Sequence, residues 1–416
     1  MLQSVRLSLL ALFEELKQTV QSLTEPFIKN HYFYSTTQQL NNSTTLNLSY
    51  WEIKSWLTNV DYTIVGSGIV GLNCALQLKK RFPKANILIL EKGILPQGAS
   101  TKNAGFACFG SLSELIDDLK SHSEEEVFQL VKKRIDGLQL LRHTLGDGSI
   151  NYQQLGGYEL FSSSDNVFEE CKTRQDEINS FLKPLFNQDV FRFEPDIFGF
   201  KNCRDTLCVN QFEGQIDTGK MMKSLLQLVL NSGIKILNSI TVEGFSEDSA
   251  SVKIKTSQFE FSTSKLLITT NGFASSLNIP EVKPARAQVL ITKPINNLHL
   301  KGTFHLDHGY YYFRNIDDRI LFGGGRNLDF KGEETTEFNQ TELIQNKLET
   351  LLKTTILPNT PFEIEHSWSG IMGVGNQKKA IVKQLFNNVF CGVRLGGMGV
   401  AIGSLVGKEL AELLDE

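Results

Sequence analysis

The sequence predicts an α/β fold. One observation behind this is a complete strand–turn–helix–strand unit beginning near residue 60. Another is the alternation of short β-rich stretches with helical ones through the rest of the chain. At 416 residues there is room for two or three compact units, on a prior of roughly 150 residues each.

The first unit is specific. Residues 61–65 (Asp-Tyr-Thr-Ile-Val) are a short, β-branched, apolar run that predicts a buried parallel strand. Gly66-Ser67-Gly68-Ile69-Val70-Gly71 follows at once, and Leu72, Ala75, Leu76 and Leu78 then recur at helical spacing until Pro83. Residues 86–90 read as a second buried strand, closed by Glu91. Each part has a mechanical reason. Gly66 permits the tight turn, Gly68 lets the backbone approach a pyrophosphate, and Gly71 lets the helix pack on the strand. The first-turn amides of Ile69 and Val70 face the phosphates, and Glu91 can accept hydrogen bonds from a ribose. Strand, turn, helix and acidic terminus at this spacing predict a dinucleotide site.

Composition excludes several classes. A net charge of −4 with no Lys/Arg block argues against nucleic acid as the main partner. No apolar run approaches the roughly 18 residues of a membrane span. The six cysteines are scattered, without CxxC, and predict core thiols in a reducing, cytoplasmic setting. His305 and His308 lack the company of a metal motif and read as strand or loop histidines, so no metal is expected. Residues 1–20 have amphipathic helical spacing, and residues 35–49 read as a polar linker. A signal sequence is disfavoured because Glu14-Glu15 stands where a small-residue cleavage site belongs. Residues 1–46 are expected to be a peripheral extension.

Later stretches resemble one family. Gly98-Ala99-Ser100-Thr101-Lys102-Asn103-Ala104-Gly105 is similar to the "GxSxxNxG" loop of the D-amino acid oxidase-like FAD-dependent oxidoreductases. That family includes glycine oxidase, sarcosine oxidase and gamma-glutamylputrescine oxidase. Gly214-Gln215-Ile216-Asp217 resembles the start of its "GxIDPxxL" helix, and Thr241-Val242-Glu243 the strand whose backbone meets the adenine. Residues 266–272, ending in Asn271-Gly272, resemble its "vvxAtNG" strand. Gly396-Gly397-Met398-Gly399-Val400 resembles the flavin loop before a last helix. The resemblance runs from about residue 48 to the C-terminus. It implies a discontinuous Rossmann-like FAD-binding domain plus an α+β substrate domain with an antiparallel sheet. The expected segments are 47–150, 214–282 and 369–416 for FAD, and 151–213 and 283–368 for substrate. It also implies FAD contacts at Gly66–Gly71, Glu91, Lys92, Ser100, Thr101, Asn103, Ala104, Gly105, Val242, Asn271, Gly272 and 396–400.

The departures bear on chemistry. The substrate-carboxylate arginine of "GLRP" is absent from Gly370-Ile371-Met372-Gly373. Met372 also replaces a covalent-attachment cysteine, so FAD is expected to be noncovalent. Ala401 replaces a lysine, and Met398 the histidine of "GHG". Trp368-Ser369-Gly370-Ile371-Met372-Gly373 resembles the "WxGxMG" of gamma-glutamylputrescine oxidase-like proteins, although Asn376–Ala380 lacks their acidic residue and proline. Arg286, Arg314, Arg326 and Arg394 remain as anion anchors. Tyr310 and Tyr312 share a face if residues 310–312 form a strand. Tyr310, Tyr312, Arg314 and Met372 are therefore the candidate catalytic residues.

The leading reading is oxidation of a small amine or amino-acid-like substrate, with hydride moving to flavin N5 and electrons to oxygen or another acceptor. The alternatives are a flavin-binding protein with a decayed substrate site and a tRNA wobble-uridine side-chain oxidase. The acidic net charge weighs against the last.

Overall fold

The computed structural model describes residues 46–163 and 166–414. The amphipathic segment expected over residues 1–20 lies outside them. The chain divides after Leu46 into two units, and the elements below belong to the unit Asn47–Glu416.

Strand Val60–Val65 is the centre of a mainly parallel sheet. It pairs in parallel with Ile87–Leu90 on one side and Glu260–Ile268 on the other. Lys235–Leu237 extends one flank and Val389–Val393 the other, both in parallel. Antiparallel Ile381–Phe386 closes the latter edge. Helices cover such strands on both faces, so their side chains are apolar in continuous runs. All four residues of Ile87–Leu90 are buried. Val242–Glu247 and Val252–Thr256 continue antiparallel from Glu260–Ile268. The sheet thus draws on three separate stretches of chain.

A second eight-stranded sheet has the order Ile364–Val374, Lys283–Thr292, Arg319–Gly324, Tyr311–Ile316, Thr303–Leu306, Gly157–Leu160, Thr206–Asn210, Phe191–Pro195. Its pairs are antiparallel except that of Thr303–Leu306 with Gly157–Leu160. Strand alternation splits the residues between two faces. Tyr311, Phe313, Phe304, Phe322 and Leu290 pack on one side with Ile344 and Leu348 of helix Glu342–Leu351. Tyr312, Leu321 and Val289 pack on the other, against Ala104 and Phe106. Strand Ile364–Val374 pairs with Lys283–Thr292 along its length. It therefore runs unbroken through the division expected at 368/369, and the second sheet reaches Val374.

Helix Ile69–Arg81 stops before Pro83, whose ring cannot continue it. The last helix, Gly399–Glu412, lies against it backbone to backbone. A Cβ at Gly403 would come 2.7 Å from Ile69 Cγ2, and one at Gly407 would come 2.6 Å from Val70 O and 2.8 Å from Cys74 N. One turn forward in one helix matches one turn forward in the other, so the two run parallel. Helix Glu124–Leu145 seats Gly137 on the same element, its Cβ position 3.0 Å from Ile402 Cα.

Gly407→Ala has no room for its methyl group and should lower stability by about 1–3 kcal/mol, as overpacking does. Gly148→Ala, where a Cβ meets nothing within 4 Å, serves as the control and should shift the urea midpoint little.

Candidate active site

The turn after Val65 is built on backbone. Gly66 has φ +104°, and its N–H donates to Leu90 O at 2.8 Å. A Cβ at Gly71 would fall on Gly66 O and lie 2.7 Å from Thr269 Oγ1. The Thr269 hydroxyl in turn donates to Val65 O at 2.8 Å. The Ser67 amide and hydroxyl donate to Glu91 Oε2 at 3.0 and 2.7 Å, and the Gly93 amide donates to Oε1 at 2.9 Å. Glu91 is buried, so its first task is to hold this turn. Three of its four acceptor positions are taken, which leaves one for a ribose hydroxyl. Lys92 is exposed beside it. Ser239 N and Ile240 N donate to Gly93 O and Glu91 O, which brings Val242 to this end of the sheet.

Helix Ile69–Arg81 starts at Gly68 without a side-chain cap of its own. Ser100 reaches over from the 98–105 loop, and its Oγ accepts from Ile69 N at 2.9 Å. Thr101 and Asn103 shape that loop from within. Thr101 donates to Pro96 O at 2.8 Å; Asn103 donates to Ser100 O at 2.8 Å and accepts from Gly105 N at 2.8 Å and Thr218 Oγ1 at 2.9 Å. These two were expected as cofactor contacts, and their polar atoms are engaged by the protein.

Arg314 reaches the same loop from the second sheet. It is 2% exposed; its Nε donates to Ala104 O, and a Cβ at Gly105 would lie 2.7 Å from its Nη2. Burial pushes its pKa down to about 10, so it remains a cation at neutral pH. Among the described residues it has no ion pair. Of the other expected anchors, Arg286 is committed to Glu333 in a buried bidentate pair at 2.9 and 2.7 Å. Arg394 donates to Lys379 O. Arg326 is half-buried over the Phe330 ring at 4.8 Å.

The C-terminal loop follows strand Val389–Val393. Arg394 takes φ +63°, and Leu395 N donates to Asn271 Oδ1 at 3.1 Å. The amide oxygen of Asn271 thus positions the loop. Gly272 crosses strand Ile364–Val374 where a Cβ would be 2.6 Å from Met372 O. Gly396 N donates to Gly373 O at 3.0 Å. Farther along the same strand, Trp368 Nε1 donates to Lys102 O at 3.0 Å. Both loops therefore converge on one strand, and half-buried Met372 lies between them on the Trp368 face. Sequence reasoning left Trp368 without a role, although its place in "WxGxMG" was the signal.

Tyr310 corrects an expectation. Asp307, His308 and Gly309 all have positive φ and form a turn, so pairing starts only at Tyr311 with Leu306. Tyr310 therefore sits before the strand, 39% exposed and edge-on to Phe330, and does not share the face of Tyr312. Tyr312 packs edge-on to Phe106 at 5.5 Å, and burial pushes its phenol up to about 12.

The two parallel helices begin at this site, and neither start is capped by its own Ncap side chain. Cβ atoms at Gly396, Gly397 and Gly399 would meet open space. A helix start with no cap of its own beyond Ser100 on Ile69 N, an open glycine loop and a free carboxylate acceptor fit a flavin dinucleotide. The family model DAO, FAD dependent oxidoreductase, matches residues 61–413. The chain belongs to this family. It is 19% identical over 389 residues to "Probable oxidoreductase OrdL" of Haemophilus influenzae, covering 86% of this chain and 83% of the relative. L-proline dehydrogenase from P. horikoshii has a similar fold, with TM-score 0.67 and 18% identity over 86% of this chain and 93% of that one. Glycine oxidase from Geobacillus kaustophilus also gives TM-score 0.67, with 17% identity over 86% and 95%. The protein is accordingly an FAD-dependent oxidoreductase of the DAO type.

Gly68→Val should abolish FAD binding. Its Cβ would already lie 2.9 Å from Ser100 Oγ, and its methyls would fill the pyrophosphate approach. The purified variant is expected to be colourless. Acid precipitation of the wild-type protein should release all yellow colour, because the Met372 thioether does not form a covalent link.

Proposed function

We propose that this DAO-family protein oxidises an amine, or an N-substituted derivative, that carries no carboxylate beside the reacting carbon. The observation that carries the reading is the sheet face between the two cofactor loops. It presents Trp368, Met372 and Tyr312, and its cation, Arg314, is committed to Ala104 O. Met372 offers a carboxylate no charge, and a carboxylate buried against it away from the loop-bound guanidinium would lose several kcal/mol.

When bound, FAD would supply the acceptor for a hydride from the C–H beside the amine nitrogen. The protein's part is to hold, orient and exclude water. Ser67, Gly68, Ile69, Val70, Gly71 and Ser100 would hold the pyrophosphate, Glu91 and Val242 the adenosine, and residues 396–400 the ring. Amides at the start of helix Gly399–Glu412 would favour negative charge at the ring's N1/O2 edge. Tyr312 keeps its proton on Oη at neutral pH and offers a donor to the substrate. Met372 and Trp368 exclude water from the reacting carbon. Arg314 acts through the loop it braces and is a positioning residue. The final acceptor in this reading is oxygen or another oxidant. Six unpaired thiols support a reducing, cytoplasmic setting, and no described helix is long and apolar enough to cross a membrane.

Anaerobic bleaching of the flavin by a panel of amines tests the reading directly. Putrescine-like and gamma-glutamyl amines should reduce it faster than glycine, sarcosine or D-alanine. A kcat/KM of about 10⁴ M⁻¹s⁻¹ or more for any of the latter three would overturn the substrate class. Failure of every amine to bleach the flavin would favour a binding-only protein. Arg314→Met should release flavin during gel filtration. An arginine that clamped a substrate carboxylate would instead raise KM and leave the flavin in place.

A further inference from the structure

Three donor side chains meet in the interior beneath Phe106. Cys108 follows the short strand Phe106–Ala107, and Glu213 precedes its partner Gly214–Gln215. His305 comes from strand Thr303–Leu306 of the second sheet. The ligand atoms of the three lie within 4.8 Å of one another, and the residues are only 2%, 1% and 7% exposed.

His305 Nε2 is buried without a hydrogen-bond partner. It faces Glu213 Oε2 at 3.9 Å, beyond hydrogen-bond reach. The ring is held edge-on to Phe106 at 5.3 Å. Glu213 is fixed from its other oxygen, since Oε1 accepts from Phe109 N at 2.7 Å and Gly110 N at 3.2 Å. Space for Oε2 is reserved by Gly157, where a Cβ would collide with it. The Cys108 thiol lies at long range from Thr303 Oγ1 at 3.5 Å and Gly214 O at 3.8 Å, and it also faces the Glu213 carboxylate. An orphaned imidazole nitrogen aimed at a buried carboxylate and thiol is costly as it stands.

We propose that Cys108, Glu213 and His305 form a buried binding site for one zinc-class divalent ion. The donor set is one thiolate, one carboxylate and one neutral imidazole, which suits zinc better than calcium or magnesium. Its two negative charges neutralise the ion, so the loaded site carries no net charge into the interior. Tetrahedral zinc places its donors about 3.3–3.7 Å apart, so the His305–Glu213 pair closes by about half an ångström. Loading forms the Zn–S bond as the Cys108 S–H proton leaves to solvent, with no change in oxidation state. The ion clamps the segment after the 98–105 loop to the antiparallel sheet, directly behind the Phe106–Tyr312 contact.

Holoenzyme purified without chelator, then stripped and titrated with zinc against a chromophoric chelator, tests this. One zinc per flavin is expected to bind. Cys108→Ser and His305→Gln should each weaken binding by more than about tenfold, the lower end of what losing even an outer partner of a metal ligand costs. Cys203→Ser, at a half-buried thiol away from the cluster, should bind zinc as wild type does. Retained yellow colour and circular dichroism identify the variants that fold; His305→Gln preserves the size of the side chain for that purpose. Wild-type holoenzyme that shows no saturable zinc binding would overturn the proposal. So would binding whose affinity is the same in folded Cys108→Ser and His305→Gln.

Discussion

The parallel seating of helices Ile69–Arg81 and Gly399–Glu412 is the constraint on which the site depends. Gly403 and Gly407 remove the side chains that would hold the two backbones apart. Dispersion between bare backbones is short-ranged, so a gap of even half an ångström forfeits much of it. Close seating also aligns two helix dipoles whose positive ends repel. A pyrophosphate and an electron-rich ring edge are the anionic groups that relieve this repulsion. Structure and cofactor are therefore coupled: the site is least comfortable when nothing negative lies in it.

Strand Ile364–Val374 carries the second half of the arrangement. It holds Lys102 O through Trp368 and receives Gly396 through Gly373 O. A strand rises about 3.3 Å per residue, so these anchors fix the spacing of two loops that would otherwise move independently. Trp368 and Met372 thus sit on the same rigid element that holds the two loops. A rigid support of this kind suits hydride transfer, in which small misplacements of the reacting carbon are expensive.

Much of the first cofactor segment was legible in the sequence, because its signals are local. Strand, glycine turn, helix and Glu91 lie within about thirty residues, and each has a fixed steric reason. The last helix, beginning near Gly399, was legible for the same reason. The roles of individual polar side chains were less so. Asn103, Thr101 and Asn271 match loop motifs, yet their amides and hydroxyls brace the loops themselves, a distinction set by geometry rather than spacing. Tyr310 was assigned to the face of Tyr312 because the alternation rule counts residues without seeing that the turn runs through Tyr310. Cys108, Glu213 and His305 belong to three distant segments, and no periodicity links them. Gly137, Gly403 and Gly407 read as ordinary helix glycines until the opposing backbone is in view.

The parallel sheet is closed by Val389–Val393, and its cofactor face is completed by Gly399–Glu412. Both leave the ribosome after every other described element. The central strand Val60–Val65 and the first glycine turn must therefore wait through most of synthesis before their long-range partners exist. Contacts of such sequence separation form slowly, and the waiting β-rich segments expose unpaired edges. Folding of this flavoprotein is thus bound to synthesis past residue 412, and a polypeptide stalled before residue 389 lacks both the strand that closes the sheet and the helix seated on Ile69–Arg81.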